Sequence, residues 1–372
     1  MRYLTAGESH GEVLSGLLEG FPAGVGIDVR IIEKHLARRR NTAGRSQRQE
    51  QETDRIKILS GLSKGISTGA PVALILSNRA RGKVSFNPVP IPGHADLPGA
   101  IKYRIEPGIV RERASARETA IRVALGCFPM LLLKKLGISI CSRTVSLGTV
   151  ADFNAYRSPA RKLSLLADKS PVRCPDMAAG KKMLAEITAA ASKKDTLGGV
   201  FEVRAEGVPP GLGSHAHHDR KLDALLAAQF MGLNAVKGVE IGGGFYLAQL
   251  RGSSARDAFH ADIPFGRETN HAGGIEGGIS NGETIVVRAA VKPLPGSEVP
   301  VRSVNLRTGK PAFTAPYRSD TCAVPAAGII GEFLLAFVLS NVVLEKFGSD
   351  TFSEISSRLE EWRRFCRSPW KK

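Results

Sequence analysis

The sequence predicts a single α+β unit built on antiparallel sheets. Two segments, residues 199–205 and 283–290, alternate apolar and polar side chains. Such alternation is typical of antiparallel strands with one covered face. Long apolar runs with helix-capping residues at their starts lie between the strands and after them. No low-complexity linker divides the chain, so we expect residues 1–372 to form one domain.

The helices are predicted from their capping residues and from apolar spacing. Ser115, followed three residues later by Glu118, forms a capping-box pattern. This pattern opens the apolar run 120–136, which stops at Gly137. Four further helices are predicted. The first begins after its cap Asp176 and runs to residue 194, and the second covers 221–233 with Asp219 as cap. The other two cover 327–347 and 351–366, the last with Asp350 as cap.

One motif occurs twice and predicts an internal pseudo-repeat. The sequence RASARET at 113–119 precedes a long apolar helix that ends in Leu-Lys-Lys-Leu-Gly. The sequence RSDTC at 318–322 precedes another, which ends in Leu-Glu-Lys-Phe-Gly. The most apolar part of that second run approaches membrane-spanning length, but it contains Glu332 and Asn341. We therefore interpret it as a buried core helix and predict no membrane association.

Charge is the most informative property of the composition. The chain contains 52 Lys and Arg against 35 Asp and Glu, a net charge of +17. Such a surplus indicates nucleic acid, an anionic lipid surface or a small polyanion as partner. Aromatic residues make up only 6% of the chain, and no segment interleaves them with cations as single-strand binding requires. A small anionic ligand is favoured over nucleic acid.

The cysteines predict a reducing compartment. There are five, widely spaced, and no CxxC pair occurs among them. This pattern supports neither a disulfide framework nor a zinc ribbon. The N-terminus has no cationic segment followed by an apolar one, so no secretory signal is predicted and the cytoplasm is the expected location.

The first candidate site is the pentad GESHG at residues 7–11, directly after a short apolar strand. It places a carboxylate, a hydroxyl and an imidazole between two glycines, which allow a sharp turn or a close approach to a ligand. Ser9 and His10 are groups suited to proton transfer. An ordinary turn is the alternative interpretation.

Arginines supply the second candidate site. Arg38, Arg39 and Arg40 end a predicted helix, and Arg45 and Arg48 continue the cluster into the following loop. The guanidinium fork suits phosphate and carboxylate groups, because its parallel N–H donors meet two oxygens. The start of the helix after residue 113 offers a further anion site, since free N–H groups and the positive end of the dipole lie there.

Three further motifs carry polar or glycine residues. PGHAD at 92–96 places His94 beside an acid. GSHAHHD at 213–219 has no companion cluster of acids or cysteines close in sequence, so no metal site is predicted. The glycine-rich segment 269–278 implies a backbone that passes closely against something planar or phosphorylated. Neither a Rossmann nor a P-loop glycine pattern occurs in a strand-to-helix setting.

With these motifs taken together, the chain resembles the chorismate synthase family over nearly its whole length. GESHG, PGHAD, RASARET, GVPPGLGS, KGVEIG, NHAGGIEGG and RSDTCAVPAAG occur in the family's order. The resemblance implies helices sandwiched between antiparallel sheets with an internal pseudo-repeat, and a homotetramer. It also implies elimination of phosphate from 5-enolpyruvylshikimate 3-phosphate with reduced FMN and no net redox change. NADPH is a candidate reductant of the flavin.

The resemblance assigns expected roles to individual residues. His10 would protonate the departing phosphate, and His94 would hold the proton of the reduced flavin near N1. Ser9, Ser115 and Asp320 would relay the C6 proton by way of flavin N5. The expected substrate-binding residues are Arg39, Arg45, Arg48, Arg117 and Arg318. The expected FMN-binding residues are Arg39, Arg45, Arg113, Ala114, Ser115, Asn234, Ala235, Gly277, Lys292 and Arg318.

The chain departs from the family's pattern at a few positions. Ile91 stands where the family often has Arg before Pro-Gly-His, and the usual Asp-x-Arg before Arg113 is missing, with Arg104 and Arg111 as candidate substitutes. A catalytically weakened member of the family is therefore one alternative. A basic nucleic-acid-binding protein is the other.

Overall fold

We describe the fold from a computed structural model. Its described residues are 1–46, 52–79, 87–154, 156, 158–260, 266–317 and 319–367. The strands are β1 (Arg2–Ala6), β2 (Val13–Glu19), β3 (Ile56–Ile58), β4 (Leu62–Ser63), β5 (Ile66–Ser67), β6 (Val72–Ser77), β7 (Ser139–Leu147), β8 (Val150–Ala151), β9 (Gly199–Glu206), β10 (Val236–Ile241), β11 (Ile275–Glu276), β12 (Ile279–Ser280), β13 (Ile285–Val291), β14 (Arg302–Val304) and β15 (Pro311–Phe313).

The described residues form ten helices, one of about a single turn and nine of two or more turns. They are α1 (Val29–Arg40), α2 (Asp96–Tyr103), α3 (Pro107–Ala114), α4 (Thr119–Lys135), α5 (Ala160–Lys169), α6 (Met177–Ser192), α7 (Leu222–Met231), α8 (Gly252–Ala255), α9 (Val324–Phe347) and α10 (Phe352–Arg367). Turns of 3-10 helix lie at Ala116–Glu118, His218–Arg220 and Gly244–Gln249.

Two antiparallel sheets form the frame. The first has the strand order β1-β2-β6-β3, and the second has the order β10-β13-β9-β7-β8. The two strands predicted from alternation are neighbours in the second sheet, with Ala205 opposite Ile285 and Gly199 opposite Val291. Along β13 every second residue is buried, as a strand with one covered face requires.

The long helices lie between the sheets. Helix α4 packs on β2 of the first sheet, α9 packs on β7 and β9 of the second, and α4 and α9 pack on each other. The two helices approach so closely that a Cβ at Gly126 would lie 2.5 Å from the Cβ of Phe333. The predicted α+β class, with helices between antiparallel sheets, is therefore confirmed. The second repeat motif begins at Arg318, which lies outside the described residues.

The helix predictions differ from the structure mainly at the caps. Asp176 caps α6 as predicted, accepting from the backbone N–H of Ala179 at 2.7 Å. Ser115 caps the 3-10 turn that leads into α4. The prediction for Asp219 is wrong, because that residue lies inside the 3-10 turn His218–Arg220 and α7 begins later, at Leu222. At α10 the Thr351 hydroxyl, rather than Asp350, accepts from the backbone N–H of Glu354 at 3.3 Å.

Helix α9 is the core helix that the sequence predicted. By length and composition it would suffice to cross a membrane, but 89% of its most apolar stretch is buried inside the protein. Its one buried carboxylate, Glu332, accepts from Arg38 at 2.7 Å and from the Ser142 hydroxyl at 2.7 Å. These bonds compensate the cost of burying the charge. All five cysteines are free thiols.

Two short helices carry several site residues to the end of β1. Helices α2 and α3 pack on each other, with Gly99 against the Val110 side chain. The first of the three residues between them, Arg104, has a left-handed backbone with φ of 54° and ends α2. Helix α3 then leads directly into Ser115 beside the turn that follows β1.

Candidate active site

A cavity of about 420 Å³ lies where the end of α1, the end of α3 with the 3-10 turn after it, the start of β10 and the segment before α9 meet. Six Arg and Lys side chains line it, and Asp320 is the one carboxylate among its lining residues. The cavity is therefore strongly cationic. It brings together these residues predicted from the sequence: Arg39, Arg45, His94, Ala114, Ser115, Arg117, Asn234, Ala235, Lys292 and Asp320.

Arg45 and Asp320 form an ion pair in the cavity wall. The Arg45 Nη1 lies 2.7 Å from Asp320 Oδ2. The other carboxylate oxygen of Asp320 accepts from the backbone N–H of Ser46 at 2.8 Å. Asp320 is thus held in place by residues of the loop after α1, although it lies 275 positions away from Arg45 in the chain.

Arg39 is buried, with its side chain turned toward the start of α4. It donates to the Thr119 hydroxyl at 2.9 Å and to the carbonyl of Ala116 at 3.1 Å. Burial, together with repulsion from Arg45, lowers the pKa of Arg39 to about 9, so the guanidinium is still charged at neutral pH. A bound anion would relieve both effects.

Several buried polar atoms around the cavity have no hydrogen-bond partner within the described part of the chain. They are Arg39 Nη1, Arg45 Nε and Asn234 Oδ1. Buried polar groups are normally hydrogen-bonded, and leaving one unsatisfied costs about 1–3 kcal/mol. Two donors and one acceptor of this kind around one cavity indicate a polar, anionic ligand.

His94 belongs to a buried charge cluster at the start of α2. Its Nδ1 contacts Asp96 Oδ1, and the other oxygen of Asp96 accepts from Arg111 Nε at 3.1 Å. Burial alone would raise the pKa of Asp96, but contacts with His94 and Arg111 lower it to about 2. Arg111 also lies over the Tyr317 ring, 5.5 Å from its centroid. Of the two candidate substitutes for the family's Asp-x-Arg, Arg111 is the one that lines the cavity.

The GESHG turn reaches the cavity through a hydroxyl pair. The Ser115 hydroxyl, which lines the cavity, donates to the Ser9 hydroxyl at 3.1 Å. His10 lies next to this pair, and its Nδ1 is 2.8 Å from Glu112 Oε1. About a third of the imidazole is exposed. Neither Ser9 nor His10 is among the described residues that line the cavity, and Ser9 is connected to the wall through its hydrogen bond with Ser115.

Arg117 supports the same turn from behind. Its Nε donates to Asn78 Oδ1 at 2.9 Å, and its Nη1 and Nη2 contact Asp54 and Glu52 at 2.7 and 3.3 Å. Asn78 in turn donates to the carbonyl of Gly11 at 3.0 Å. Each guanidinium nitrogen of Arg117 therefore has a protein partner, and substrate binding by this residue stays a prediction.

Lys292 and Ala235 form the opposite wall. Lys292 Nζ donates to the carbonyl of Gly93 at 2.5 Å, which ties the wall to the loop that carries His94. Its backbone N–H donates to the carbonyl of Ala235 at 2.9 Å. Ala235 has a left-handed backbone, with φ of 66°, a conformation that costs energy for a residue with a Cβ and is frequent at functional sites.

Some predicted site residues lie elsewhere. Arg113 donates to the carbonyls of Thr5 and Gly7 at 2.7 and 3.0 Å, so its guanidinium fastens α3 to the end of β1. Gly277 lies in the turn between β11 and β12, with φ of 59° and open space around it. Neither residue lines the cavity, and their roles in FMN binding stay predictions. Arg48 and Arg318 lie outside the described residues.

The two remaining motifs have structural explanations. In the glycine-rich segment, a Cβ at Gly273 would lie 2.3 Å from the backbone nitrogen of Gly242, so the close approach is to the chain itself. In the histidine-rich segment, His217 pairs with Asp219 at 2.6 Å on the surface. Among the described residues, no group of three or more His, Cys, Asp or Glu side chains could hold a metal ion.

Sequence reasoning missed the groups that hold the turn and the histidines. Glu112 and Asn78 were not singled out, because each lies far along the chain from residues 7–11 that it binds. The signal for Glu112 was its position beside Arg113 in the RASARET motif. The acids Glu52 and Asp54 lie in a stretch with no distinguishing pattern. Tyr317 and Lys237 also line the cavity without having been predicted.

The α+β fold and the cationic cavity with its proton-transfer groups define an enzyme that acts on a small anionic molecule. The sequence pattern of the family described as chorismate synthase matches residues 1–344. The chain is 44% identical to the chorismate synthase of Desulforamulus reducens, over 99% of each chain. It is 46% identical to that of Symbiobacterium thermophilum, over 95% of this chain and 96% of the other.

A solved structure gives the same assignment. The crystal structure of a chorismate synthase superposes with a TM-score of 0.81 at 38% sequence identity. The match covers 99% of this chain and 98% of that one. The chain belongs to the chorismate synthase family.

Proposed function

We propose that this chain catalyses the anti-1,4-elimination of phosphate from 5-enolpyruvylshikimate 3-phosphate to give chorismate, the closing step of the shikimate pathway to the aromatic amino acids. The observation that carries the proposal is the cationic cavity with unsatisfied donors beside a hydroxyl pair, a histidine and an aspartate. The family assignment supports the same reaction.

The substrate is a polyanion, and the cavity offers donors suited to it. Arg39 Nη1 and Arg45 Nε are buried donors without partners in the described structure, and Lys292 lies on the opposite wall. A charge-assisted hydrogen bond contributes about 1.5–3 kcal/mol. We assign Arg39 and Arg45 to binding of phosphate or carboxylate groups, and we keep Arg48, Arg117 and Arg318 as proposed contributors.

The residues present also fit a reduced flavin mononucleotide. Asn234 Oδ1 is a buried acceptor without a partner in the described structure, as the N–H groups of a reduced isoalloxazine require, and cationic groups are at hand for the flavin phosphate. We propose that Ala114, Ser115, Asn234, Ala235 and Lys292 hold FMN, with contributions from Arg39, Arg45, Arg113, Gly277 and Arg318. Bound reduced FMN supplies electron density that assists loss of the phosphate without net oxidation. NADPH is the proposed reductant.

In this proposal, side chains around the cavity carry out the proton transfers. Asp320 is the proposed acceptor of the proton lost from C6, and the Ser115 and Ser9 hydroxyls, 3.1 Å from each other, are the proposed relay. His94 holds a proton at the wall, with Nδ1 turned to Asp96 and Nε2 facing away from it. His10 is the proposed acid for the departing phosphate, whose charge disfavours its departure without protonation.

We also propose a cytoplasmic homotetramer. On the outer face of the first sheet, Leu4 and Leu17 stand opposite each other in β1 and β2 and are 65% and 48% exposed. Phe245 and Tyr246 are further exposed aromatic residues. Exposed apolar groups of this size support burial against another copy of the chain.

The experiment that tests the reaction is an anaerobic assay with dithionite-reduced FMN. We expect chorismate and inorganic phosphate to form together from 5-enolpyruvylshikimate 3-phosphate. A second assay with NADPH and FMN in air tests whether the chain reduces its own flavin. Nucleic-acid binding with a steep salt dependence, and no product in the first assay, would favour the basic nucleic-acid-binding alternative.

A further inference from the structure

Glu112, on α3, holds the GESHG turn by its side chain and by its backbone. Its Oε2 accepts from the backbone N–H of His10 at 2.8 Å, and its Oε1 lies 2.8 Å from His10 Nδ1. The backbone carbonyl of Glu112 accepts from the N–H of Ser9 at 3.1 Å. The carboxylate is largely buried, with 11% of its side chain exposed. One residue therefore fixes both the main chain and the imidazole of His10.

The carboxylate also determines which nitrogen of His10 carries the proton. An ionised carboxylate can only accept hydrogen bonds, so the contact at Nδ1 requires a hydrogen on Nδ1. In neutral imidazole the lone pair then lies on Nε2. When the ring is protonated, the second hydrogen is on Nε2. The geometry at Nδ1 is the same in both states.

We propose that Glu112 is a positioning residue that holds His10 in the Nδ1–H form and so makes Nε2 the nitrogen that delivers the proton to the departing phosphate. The proposal rests on the proposed role of His10 as an acid. In the step itself, the Nε2–H bond breaks and an O–H bond forms on the phosphate. The ring is left neutral with its hydrogen on Nδ1, still bound to Glu112, and Nε2 is ready to take up the next proton.

Glu112→Gln tests this arrangement with little change of shape. The glutamine has one oxygen, which the backbone N–H of His10 needs as acceptor, and its NH2 group then faces Nδ1. An NH2 group donates, so Nδ1 must accept and the hydrogen must move to Nε2. The variant should therefore invert the tautomer of neutral His10. Glu112→Asp keeps the acceptor character and should retain the Nδ1–H form with part of the activity.

The tautomer is read from solid-state 15N spectra of protein labelled at its histidine nitrogens, with the spectrum of His10→Ala subtracted. We expect the parent and Glu112→Asp to give the Nδ1–H pattern and Glu112→Gln the Nε2–H pattern. In steady-state assays Glu112→Gln should lower kcat by at least about ten-fold, a part of the roughly 10²–10⁴-fold that general-acid catalysis contributes, and leave KM within about two-fold. Glu106→Gln, an exposed change of the same kind at the start of α3, is the matched control and should behave like the parent.

The outcomes separate the positioning role from the proposed function. An unchanged tautomer in Glu112→Gln overturns the proposal, as does a rise in KM without a fall in kcat. An inverted tautomer with parental kcat, while His10→Ala is impaired, also overturns it. If His10→Ala itself turns over like the parent, His10 is not the acid of the reaction. Glu112 would then set the tautomer of a histidine that has no catalytic role, and the positioning proposal fails together with the role of His10. Flavin binding and thermal melting of each variant show whether the fold is kept.

Discussion

The carboxylate of Asp320 contacts a cation with one oxygen and a backbone amide with the other. Arg45 at 2.7 Å and the Ser46 N–H at 2.8 Å fix the orientation of the carboxylate. A polyanion that draws Arg45 toward itself would release one carboxylate oxygen. In the proposed mechanism, substrate binding by Arg45 and proton acceptance by Asp320 would therefore be coupled through this ion pair.

Asp320→Asn keeps the size and most hydrogen bonds of the side chain but cannot take up a proton. We expect kcat to fall by at least about a hundred-fold, the lower range for a lost general base, with flavin affinity nearly unchanged. Rapid-quench measurement of chorismate and titration of FMN fluorescence check the two parts. Asp219→Asn, on the exposed histidine-rich segment, is the control. A variant at residue 320 with parental turnover would remove this aspartate from the reaction.

Arg45→Ala tests the anion site. The change removes a buried donor and leaves Asp320 without its cation, so the dissociation constant of the substrate should rise about ten-fold or more, as loss of one charge-assisted hydrogen bond implies. Equilibrium binding to the flavin-loaded protein measures it. Arg30→Ala removes an exposed arginine that pairs with the neighbouring Asp28 and should leave the dissociation constant unchanged. Equal affinity in both variants would exclude Arg45 from the site.

Side chains within short motifs could be predicted from the sequence, whereas their partners could not. Ser115, His94 and Arg39 stand in motifs whose residue types already indicate proton transfer or anion binding. Glu112 binds a residue 102 positions away, and Arg117 binds Asp54 across 63 positions. Such contacts depend on how α3 and the strands pack, which no local spacing encodes.

Strand β9 carries a buried carboxylate that ties the second sheet together. Glu202 accepts from Arg143 on β7 at 2.9 Å, from Arg288 on β13 at 2.8 Å and from Arg204 on its own strand at 2.7 Å. Burial alone would raise the pKa of Glu202, but these arginines lower it to about 2. The strand pattern predicted β9 and β13, but alternation does not reveal that one of the covered side chains is charged.

Glu202→Gln should reduce the free energy of unfolding in a pH-dependent way. The pKa of Glu202 is lower in the folded chain than the ordinary 4.5, so the unfolded chain binds more protons between about pH 4.5 and 2. The stabilisation, roughly 3 kcal/mol at 1.36 kcal/mol per pKa unit, is present above that range and is lost as pH falls through it. Urea unfolding at several pH values should show the parent–variant difference narrowing toward pH 2. A difference that is constant with pH would contradict this account, and Glu206→Gln on the same strand is the control.

On the scale of the whole molecule, part of the positive charge that gives the chain its net +17 is concentrated around the cavity. Six cationic side chains converge there from segments that span the chain from Arg39 to Lys292. One continuous apolar core joins both sheets with α4 and α9, which supports our proposal that residues 1–372 form one domain. Composition predicted a small polyanion as partner, and the resemblance predicted the layered fold. That these cations meet in one cavity could not be predicted without the folded structure.

The most direct test of the account is the stoichiometry of the flavin. With excess 5-enolpyruvylshikimate 3-phosphate and limiting reduced FMN under anaerobic conditions, chorismate, phosphate and the flavin spectrum are followed together. We predict equal amounts of chorismate and phosphate, many turnovers for each flavin, and a flavin that is still reduced at the end. Product formation with oxidised FMN alone, or one flavin oxidised for each chorismate formed, would contradict the proposed elimination.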